Sequence, residues 1–208
     1  MAVKRILDIV LAVVGTIVLS PVLIILGILV KLTSKGSILY CQTRVGRNGK
    51  LFKIFKFRTM ISGADKKGLS ITVGGDSRIT KVGRFLRKTK MDELPQFFNI
   101  LLGQMSFVGP RPEVERYVDM YSQEQREVLK IRPGITDYAS ICFRNESEIL
   151  ARSDDPEREY IENIMPMKIK YNLKYVREMG VITDIKIIFL TFWSILGGKI
   201  KIDESRLG

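Results

Sequence analysis

The chain of 208 residues contains no histidine and only two cysteines, Cys41 and Cys142. The missing histidine excludes imidazole acid–base catalysis and histidine metal sites, and two cysteines form neither a disulfide framework nor a thiolate metal cluster. Any general acid or base must therefore be Asp, Glu, Lys, Tyr or Cys. A metal site must be rich in oxygen ligands, which favours a hard cation such as Mg²⁺ over zinc.

Acidic residues are scarce in one segment of the chain. Residues 44–90 hold 14 of the 34 basic residues but only two of the 22 acidic ones, Asp65 and Asp76. The remainder holds 20 of each, so the formal net charge of +12 belongs to this segment. Such a field predicts a polyanionic partner, namely nucleic acid, an anionic membrane surface or a phosphate-bearing substrate. No nucleic-acid-binding module is recognisable, which argues against the first of these.

Charge is absent from residues 9–30, a run long enough for a membrane-embedded helix. A cleaved signal peptide is disfavoured, because the run is too long and no small-residue cleavage site follows it. Basic residues flank it on both sides, and Ser20-Pro21 lies near its middle, where proline kinks a helix. A helix–break–helix hairpin that enters and leaves one leaflet fits both observations. A straight span with a mild kink is the alternative.

The remaining pattern predicts an α+β fold, a mostly helical compact domain with a short β-hairpin. The runs "ILYCQTRV" and "LFKIFKFRTM", joined by "GRNGK", are typical of the hairpin. Helical patterns cover 81–103, with a break between Thr89 and Pro95, and also 113–131 and 154–179, whereas 62–83 is loop-like. Thr183 and Asp184 predict the N-cap of an apolar C-terminal helix too short to span a membrane. That helix is either a core helix or an interfacial one.

Several basic residues could converge on a phosphate group. Two pairs are spaced to share one side of a helix or a strand, and the others lie in or beside stiff proline-containing segments. These residues are Arg84 with Arg87, Lys56 with Arg58, Arg111 between two prolines, and Arg132 and Arg144 on either side of a Pro-Gly turn. Each arginine alone is explained more simply as a surface ion-pair partner, so their convergence is the observation that matters.

Asp92 and Glu93, in "KMDELPQFF", are the only adjacent carboxylates of the cationic segment and its immediate surroundings. Neighbours on a helix point about 100° apart, so the two carboxylates are expected to have different roles. One would be a nucleophile or metal ligand and the other a base or second ligand, and nearby arginines would keep both ionised. The simpler alternative is that both complement the N-terminal end of a helix.

Together these motifs resemble those of a bacterial sugar transferase family, the monotopic polyprenyl-phosphate phosphoglycosyl transferases, in their small form that consists of the catalytic domain. The resemblance runs from "KRILDIVLA" to "TDIKIIFLT" and rests on Lys4-Arg5 with Asp8, Ser20-Pro21, "FKIFKFRTM", "MDELPQFFN", "SFVGPRPE" and "RPGIT". It implies a re-entrant membrane hairpin over 1–35 and a cytoplasmic catalytic domain over 36–208 with an interfacial C-terminal helix. The location implied is the cytoplasmic side of the bacterial inner membrane, embedded in one leaflet.

The resemblance also implies a reaction. Family members transfer a phospho-sugar from a UDP-sugar to a polyprenyl phosphate, usually undecaprenyl phosphate, and release UMP with the help of Mg²⁺. Asp92 would form a covalent aspartyl-phosphosugar intermediate, and Glu93 would assist as a metal ligand, beside Asp92, or as a proton-handling group. The implied phosphate-binding residues are Arg58, Arg87, Arg111 and Arg144. This is the first membrane step of a glycoconjugate pathway, so downstream glycosyltransferases are expected partners.

The chain departs from the family pattern after "RPGIT". Where many members carry glycine, glutamine and Asn-Gly, this chain has Asp137, Ser140 and Cys142-Phe143, and Asn172 replaces a common aspartate. These departures put the sugar specificity and the role of Arg144 in doubt. A second hypothesis is a non-catalytic membrane-surface protein that binds anionic lipids or recruits a glycosylation partner. The carboxylates inside its cationic patch argue against that hypothesis.

Overall fold

The structure, a computed structural model, describes residues 2–64, 71–198 and 200. Within them the helices are α1 (Ala2–Val18), α2 (Ser20–Thr33), α3 (Lys81–Thr89), α4 (Gln96–Leu101), α5 (Glu115–Val118), α6 (Tyr138–Cys142), α7 (Glu146–Leu150), α8 (Pro156–Glu159), α9 (Met165–Glu178) and α10 (Val181–Ile195). The strands are β1 (Leu39–Val45), β2 (Leu51–Phe57), β3 (Ser106–Val108) and β4 (Gly134–Thr136). Short 3-10 turns cover Arg47–Gly49, Met91–Glu93 and Gln125–Lys130, and a π-turn, Tyr160–Ile164, joins α8 to α9. The predicted mixed, mostly helical fold with a small hairpin is confirmed.

The β1–β2 hairpin has the register expected from its turn. The strands pair antiparallel from Leu39 opposite Phe57 to Val45 opposite Leu51. Asn48, with a φ of 56°, begins the reversal of the chain, and asparagine is one of the few residues that adopt this left-handed conformation readily. The hairpin packs against α1 and α4, where Phe52 joins the core.

A second sheet was not predicted. β3 pairs with β4 in parallel, although "SFVGPRPE" reads only as a rigid connector. A Cβ atom on Gly134 would lie 2.1 Å from the backbone nitrogen of Gly109, so this close approach requires glycine. The pairing matters for the site because the segment from Pro110 to Pro112 leaves the end of β3.

The N-terminal helices are sharply bent relative to each other, by 64°. Pro21 has no N–H to donate to the carbonyl oxygen of Ile17, and the hydroxyl of Ser20 donates to that oxygen instead, at 2.8 Å. Among the described residues, no helix by itself has the length and apolar composition to cross a membrane. α1 and α2 meet both criteria only when they are taken as a pair.

Both ends of this bent pair are attached to the rest of the protein. At the start of α1, the ammonium group of Lys4 lies 2.5 Å from a carboxylate oxygen of Asp184 on α10. At the end of α2, the guanidinium of Arg58 donates to the carbonyl oxygens of Ser34, at 2.6 Å, and Val30, at 3.3 Å. The two ends therefore meet the same body of the molecule.

The C-terminal helix differs from the prediction at its start. α10 begins at Val181, two residues before Thr183, and its N-cap residue is Gly180. The carboxylate of Asp184 binds Lys4 and Tyr175 and does not cap the helix. The predicted N-cap is therefore wrong, because a tertiary ion pair takes the carboxylate. The buried side of α10 includes Ile187, whereas a large apolar surface is exposed. It comprises Ile182, Ile185, Phe189, Phe192, Trp193 and Leu196.

One other segment differs from the helical predictions. Residues 113–131 do not form one helix, because Ser122 and Gln125 exchange side-chain hydrogen bonds with each other's backbone N–H groups at 3.2 and 2.9 Å. This local capping interrupts the helix between α5 and the 3-10 turn. In the predicted loop, residues 65–70 lie outside the described part of the chain.

Candidate active site

The carboxylate pair lies in a tight turn between α3 and α4. α3 ends at Thr89. The next residue, Lys90, adopts a left-handed conformation with a φ of 59° and donates its N–H to the carbonyl oxygens of Arg87 and Leu86. The 3-10 turn that follows buries Asp92 and Glu93, which are 7% and 8% exposed. Two carboxylates this deeply buried need specific partners, so stabilising a helix end does not account for them.

Glu93 is held by two cations. Arg111 donates from both terminal nitrogens to the two carboxylate oxygens, the Nη1 bond to Oε2 measuring 3.0 Å, and the ammonium of Lys56 lies 3.2 Å from Oε1. Burial alone would raise the pKa of Glu93, but the charges of Arg111 and Lys56 outweigh it and hold the pKa well below its usual range. Glu93 is therefore an oriented, ionised carboxylate.

Asp92 has a different environment from its neighbour. Its Oδ1 is buried and has no hydrogen-bond partner among the described residues. Burial, followed by the negative charge of Glu93, raises the pKa of Asp92, and the charges of Lys56 and Lys90 act in the opposite direction. Nearby cations were expected to keep both carboxylates ionised. The lowered pKa of Glu93 agrees with this expectation, whereas burial raises the pKa of Asp92 and so opposes its ionisation. The two acids have unequal environments, as the prediction of different roles requires.

Lys56 is a site residue that sequence reasoning considered but did not select. Burial lowers its pKa to about 8, although the charge of Glu93 acts to raise it. The alternation of "FKFRTM" placed Lys56 and Arg58 on one side of a strand. β2 ends at Phe57, however, so only Lys56 reaches the carboxylate pair.

The positive charge of Arg87 acts to lower the pKa of Asp92. Its Nε donates to the hydroxyl of Thr59 at 2.8 Å, and its Nη1 donates to Thr72 at 3.1 Å. This placement depends on Gly83, since a Cβ atom there would lie 2.0 Å from the carbonyl oxygen of Thr59. Arg87 is therefore fixed by neutral hydroxyl groups, and its charge has no paired carboxylate within the described part of the chain.

Arg111 is supported from behind by Asp137, one of the departures from the family pattern. The backbone N–H of Arg111 donates to Oδ2 of Asp137 at 3.0 Å, and the N–H of Ser140 donates to Oδ1 at 2.5 Å. Asp137 is fully buried and serves as the N-cap of α6. Because aspartate is a favoured N-cap residue, the sequence could have indicated the cap at Asp137. The contact between Asp137 and Arg111 joins residues far apart along the chain, so the sequence carries no signal for it.

The structure does not bring Arg58 or Arg144 to the carboxylate pair. The guanidinium of Arg58 binds carbonyl oxygens at the end of α2, and that of Arg144 binds Ser194 and Ile195 at the end of α10. Unpaired carbonyl groups at a helix C-terminus carry partial negative charge, which attracts these cations. Their assignment to nucleotide phosphates stays a prediction that this geometry does not support.

A divalent cation fits this site at Asp92. Among the described residues, no three Asp, Glu or Cys side chains converge as a metal cage. Mg²⁺ commonly takes one or two carboxylates and completes its shell with water and substrate phosphates. The unpaired oxygen of Asp92 suits that role, whereas both oxygens of Glu93 already accept hydrogen bonds from cations.

A buried carboxylate pair among fixed cations is a site suited to phosphate chemistry. The chain belongs to the bacterial sugar transferase family, whose sequence profile matches residues 1–198. A UDP-glucose:undecaprenyl-phosphate glucose-1-phosphate transferase of Escherichia coli (strain K12) is 41% identical over 192 residues, which are 90% of this chain and 39% of the relative. A UDP-N-acetylgalactosamine-undecaprenyl-phosphate N-acetylgalactosaminephosphotransferase of Aeromonas hydrophila is 35% identical over 201 residues, 94% of this chain and 44% of the relative.

One relative is closer to this chain in length. The exopolysaccharide production protein ExoY of Sinorhizobium fredii (strain NBRC 101917 / NGR234) is 34% identical over 203 residues, which are 90% of this chain and 83% of the relative. By contrast, the chain spans about two fifths of the Escherichia coli and Aeromonas proteins. The family is thus one of transferases that differ in what lies outside the matched region.

Proposed function

We propose that this chain transfers a phospho-sugar from a UDP-sugar to undecaprenyl phosphate and releases UMP. The observation that carries the proposal is the contrast between two adjacent buried carboxylates. Glu93 is neutralised by Arg111 and Lys56, whereas Oδ1 of Asp92 has no hydrogen-bond partner among the residues that the structure describes. The names of the relatives, which specify UDP-sugars and undecaprenyl phosphate, support the substrates.

In the first step, a carboxylate oxygen of Asp92 attacks the β-phosphorus of the UDP-sugar. The new bond joins the aspartyl oxygen to phosphorus, and the bond between that phosphorus and the bridging oxygen breaks. The electron pair of that bond leaves with UMP, so the product is an aspartyl-phosphosugar. Asp92 must be ionised to attack. Burial and the charge of Glu93 raise its pKa, whereas the charges of Lys56, Lys90 and Arg87 favour the anionic form.

In the second step, a phosphate oxygen of undecaprenyl phosphate attacks the same phosphorus. The aspartyl–phosphorus bond breaks and its electron pair returns to Asp92, which gives the lipid diphosphate sugar and the free enzyme. Both steps spread negative charge over the phosphoryl oxygens, and fixed cations stabilise such charge without reorganisation. We assign this role to Arg87 and Arg111, whose charges act on Asp92 and Glu93.

Glu93 acts in this proposal as the group that positions two cations. Its carboxylate holds the guanidinium of Arg111 and the ammonium of Lys56 beside Asp92. Mg²⁺, held by Asp92 and by the diphosphate of the substrate, would neutralise phosphate charge when it is bound. Whether Glu93 also binds the metal or moves a proton stays a prediction.

We further propose that α1 and α2 form a re-entrant hairpin, residues 1–35, in one leaflet of the bacterial inner membrane. Both ends of the pair contact the same body of the protein, and Ile17 and Val18 beside the bend are each 67% exposed. A straight span would instead separate its two ends by the thickness of the bilayer. The exposed apolar side of α10 supports its assignment as an interfacial helix of the domain over 36–208. That domain would face the cytoplasm, where downstream glycosyltransferases would use the product.

Release of UMP by the purified chain in detergent tests the transfer reaction. The assay contains undecaprenyl phosphate, Mg²⁺ and a panel of UDP-sugars, and the variant Asp92→Asn is compared with the unmodified protein. We expect turnover with at least one sugar and none with Asp92→Asn. Turnover of Asp92→Asn at the normal rate would refute the nucleophile assignment. A folded protein that is inactive with every sugar would favour the non-catalytic lipid-binding hypothesis.

Cysteine labelling in intact and permeabilised cells tests the hairpin. The natural Cys41 and Cys142 are first replaced by serine, and a single cysteine is then placed at Ala2 or at Ser34. We expect both positions to react with a membrane-impermeant maleimide only after permeabilisation. Reaction of the residue 2 cysteine in intact cells would show that the pair spans the membrane.

A further inference from the structure

A pocket at the start of α1 is lined by four cationic side chains that the proposed reaction does not use. Lys4 and Arg5 come from α1, Arg47 comes from the turn between β1 and β2, and Arg132 comes from the segment before β4. Of the described residues, Asp8 alone contributes an acidic side chain to the lining. None of the residues that bind Asp92 or Glu93 contributes to it.

The three arginines of this pocket have no carboxylate partner among the described residues. Arg5, Arg47 and Arg132 each donate to a backbone carbonyl oxygen, at distances of 2.8 to 3.1 Å. The Nη1 atom of Arg5 is buried and has no hydrogen-bond partner in the described part of the chain. A buried, unpaired guanidinium nitrogen is costly, so the pocket has an unused capacity to bind an anion.

Among the described residues, one carboxylate, that of Asp8, lines the pocket beside four cations, so its charge can offset only one of them. Oδ1 of Asp8 accepts hydrogen bonds from Ser106 and Phe107, both at 3.1 Å, and Lys4 is paired with Asp184. Burial, followed by the charges of Arg5 and Arg47, lowers the pKa of Arg132, and the charge of Asp8 acts in the opposite direction without cancelling this repulsion. An anion in the pocket would relieve this repulsion.

The surroundings of the pocket indicate what kind of anion it takes. Val3 and Ile6, on either side of the cations of α1, are 62% and 61% exposed, and Leu102, next to the Gly103 that Arg132 contacts, is 63% exposed. A phospholipid offers a phosphate for the arginines and acyl chains for these apolar side chains. We propose that this pocket binds the phosphate group of an anionic phospholipid. The proposal depends on the membrane position of the hairpin and not on the transfer reaction.

Thermal unfolding of the full chain in a neutral detergent tests the proposal. Short-chain dihexanoyl phosphatidylglycerol, dihexanoyl phosphatidylcholine and inorganic phosphate are titrated separately. A ligand that binds only the folded protein raises the Tm as its concentration increases. We expect phosphatidylglycerol to raise the Tm and the other two compounds to leave it unchanged. An equal rise with phosphatidylcholine or with inorganic phosphate would overturn the proposal.

Substitutions locate the effect in the pocket. The double variant Arg47→Gln/Arg132→Gln should bind phosphatidylglycerol at least about tenfold more weakly, the loss expected for one charge-assisted hydrogen bond. Arg47→Lys, which keeps the charge, should retain most of the affinity. The matched control is Arg126→Gln, because Arg126 is also exposed and donates only to carbonyl oxygens. Without lipid, the Tm of Arg47→Gln should equal or exceed that of the unmodified protein.

Two results distinguish this site from the proposed active site. Asp92→Asn should respond to phosphatidylglycerol like the unmodified protein, even if no UDP-sugar is ever turned over. An unchanged response in the double arginine variant would overturn the proposal. A rise in the KM for undecaprenyl phosphate in that variant, with its phosphatidylglycerol response intact, would assign the pocket to the acceptor lipid and overturn the proposal as well.

Discussion

Removing the carboxylate of Asp137 tests how the fold holds Arg111. Its two oxygens accept hydrogen bonds from the N–H groups of Arg111 and Ser140 inside the protein. Asp137→Ala removes the N-cap of α6, which costs about 1 kcal/mol. It also leaves the N–H of Arg111 without an acceptor, which costs about 1–3 kcal/mol. The expected loss in the free energy of unfolding is therefore about 2–4 kcal/mol.

Differential scanning calorimetry in detergent measures this loss. A decrease of 2–4 kcal/mol corresponds to a fall in Tm of about 5–15 °C for a protein of this size. Asp137→Asn keeps one carbonyl acceptor and should lose about half as much. UMP release by Asp137→Asn should fall by about tenfold, because the backbone of Arg111 is then held less firmly, although Glu93 still binds its guanidinium.

Ser140→Ala is the matched control for this prediction. The hydroxyl of Ser140 is buried without a hydrogen-bond partner, so its removal should change the free energy of unfolding by less than about 1 kcal/mol. If Asp137→Ala and Ser140→Ala had the same Tm, the carboxylate of Asp137 would not support the segment that carries Arg111. The explanation of this departure from the family pattern would then be refuted.

Three further predictions concern the hairpin, the cations and the metal. Lys4→Met leaves the Asp184 carboxylate buried without its cation and should lower the free energy of unfolding by about 3 kcal/mol. In calorimetry, the double variant Lys4→Met/Asp184→Leu should recover most of this loss. Between pH 8 and 10.5 the unfolded chain keeps a proton on Lys56 that the folded protein releases, because burial lowers the pKa of Lys56 to about 8. The unfolded state thus binds more protons there, so stability should rise with pH across this window and Lys56→Gln should reduce the rise. Chelation with EDTA should stop UMP release, and excess Mg²⁺ should restore it. An unchanged rate of UMP release in EDTA would contradict a metal requirement.

The elements that depend on local interactions could be predicted from the sequence. The β1–β2 hairpin follows from alternating residues on either side of a glycine-containing turn, and the bend before Pro21 follows from a missing backbone donor. The break between α3 and α4 likewise lies at the predicted Thr89–Pro95 junction. In each case, residues a few positions apart determine the conformation.

Features that depend on distant contacts were missed. The parallel pairing of β3 with β4 joins strands of three residues each, too short to show a periodicity, from distant parts of the chain. Arg58 and Arg144 carry the same charge as Arg87 and Arg111, yet they bind helix ends. Which acceptor an arginine meets depends on how the elements pack, and spacing along the chain does not contain that information.

The carboxylate pair could be located from the sequence, but the difference between its members could not. The cationic segment and the adjacent acids pointed to Asp92 and Glu93 as candidates. Their unequal environments arise from Arg111 and Lys56, which lie 18 and 37 residues from Glu93 along the chain. The fold therefore pairs Glu93 with two cations and, among the described residues, leaves Oδ1 of Asp92 without a hydrogen-bond partner.

Detection of a covalent adduct on Asp92 is the most direct test of the central claim. The chain is incubated with an accepted UDP-sugar and Mg²⁺ but without undecaprenyl phosphate, quenched in acid and examined by intact-protein and peptide mass spectrometry. We predict a burst of about one UMP per protein molecule and a phospho-sugar mass on the peptide that contains Asp92, which disappears when undecaprenyl phosphate is added. UMP release that requires the acceptor lipid, with no adduct at any time, would contradict the claim that Asp92 is the nucleophile.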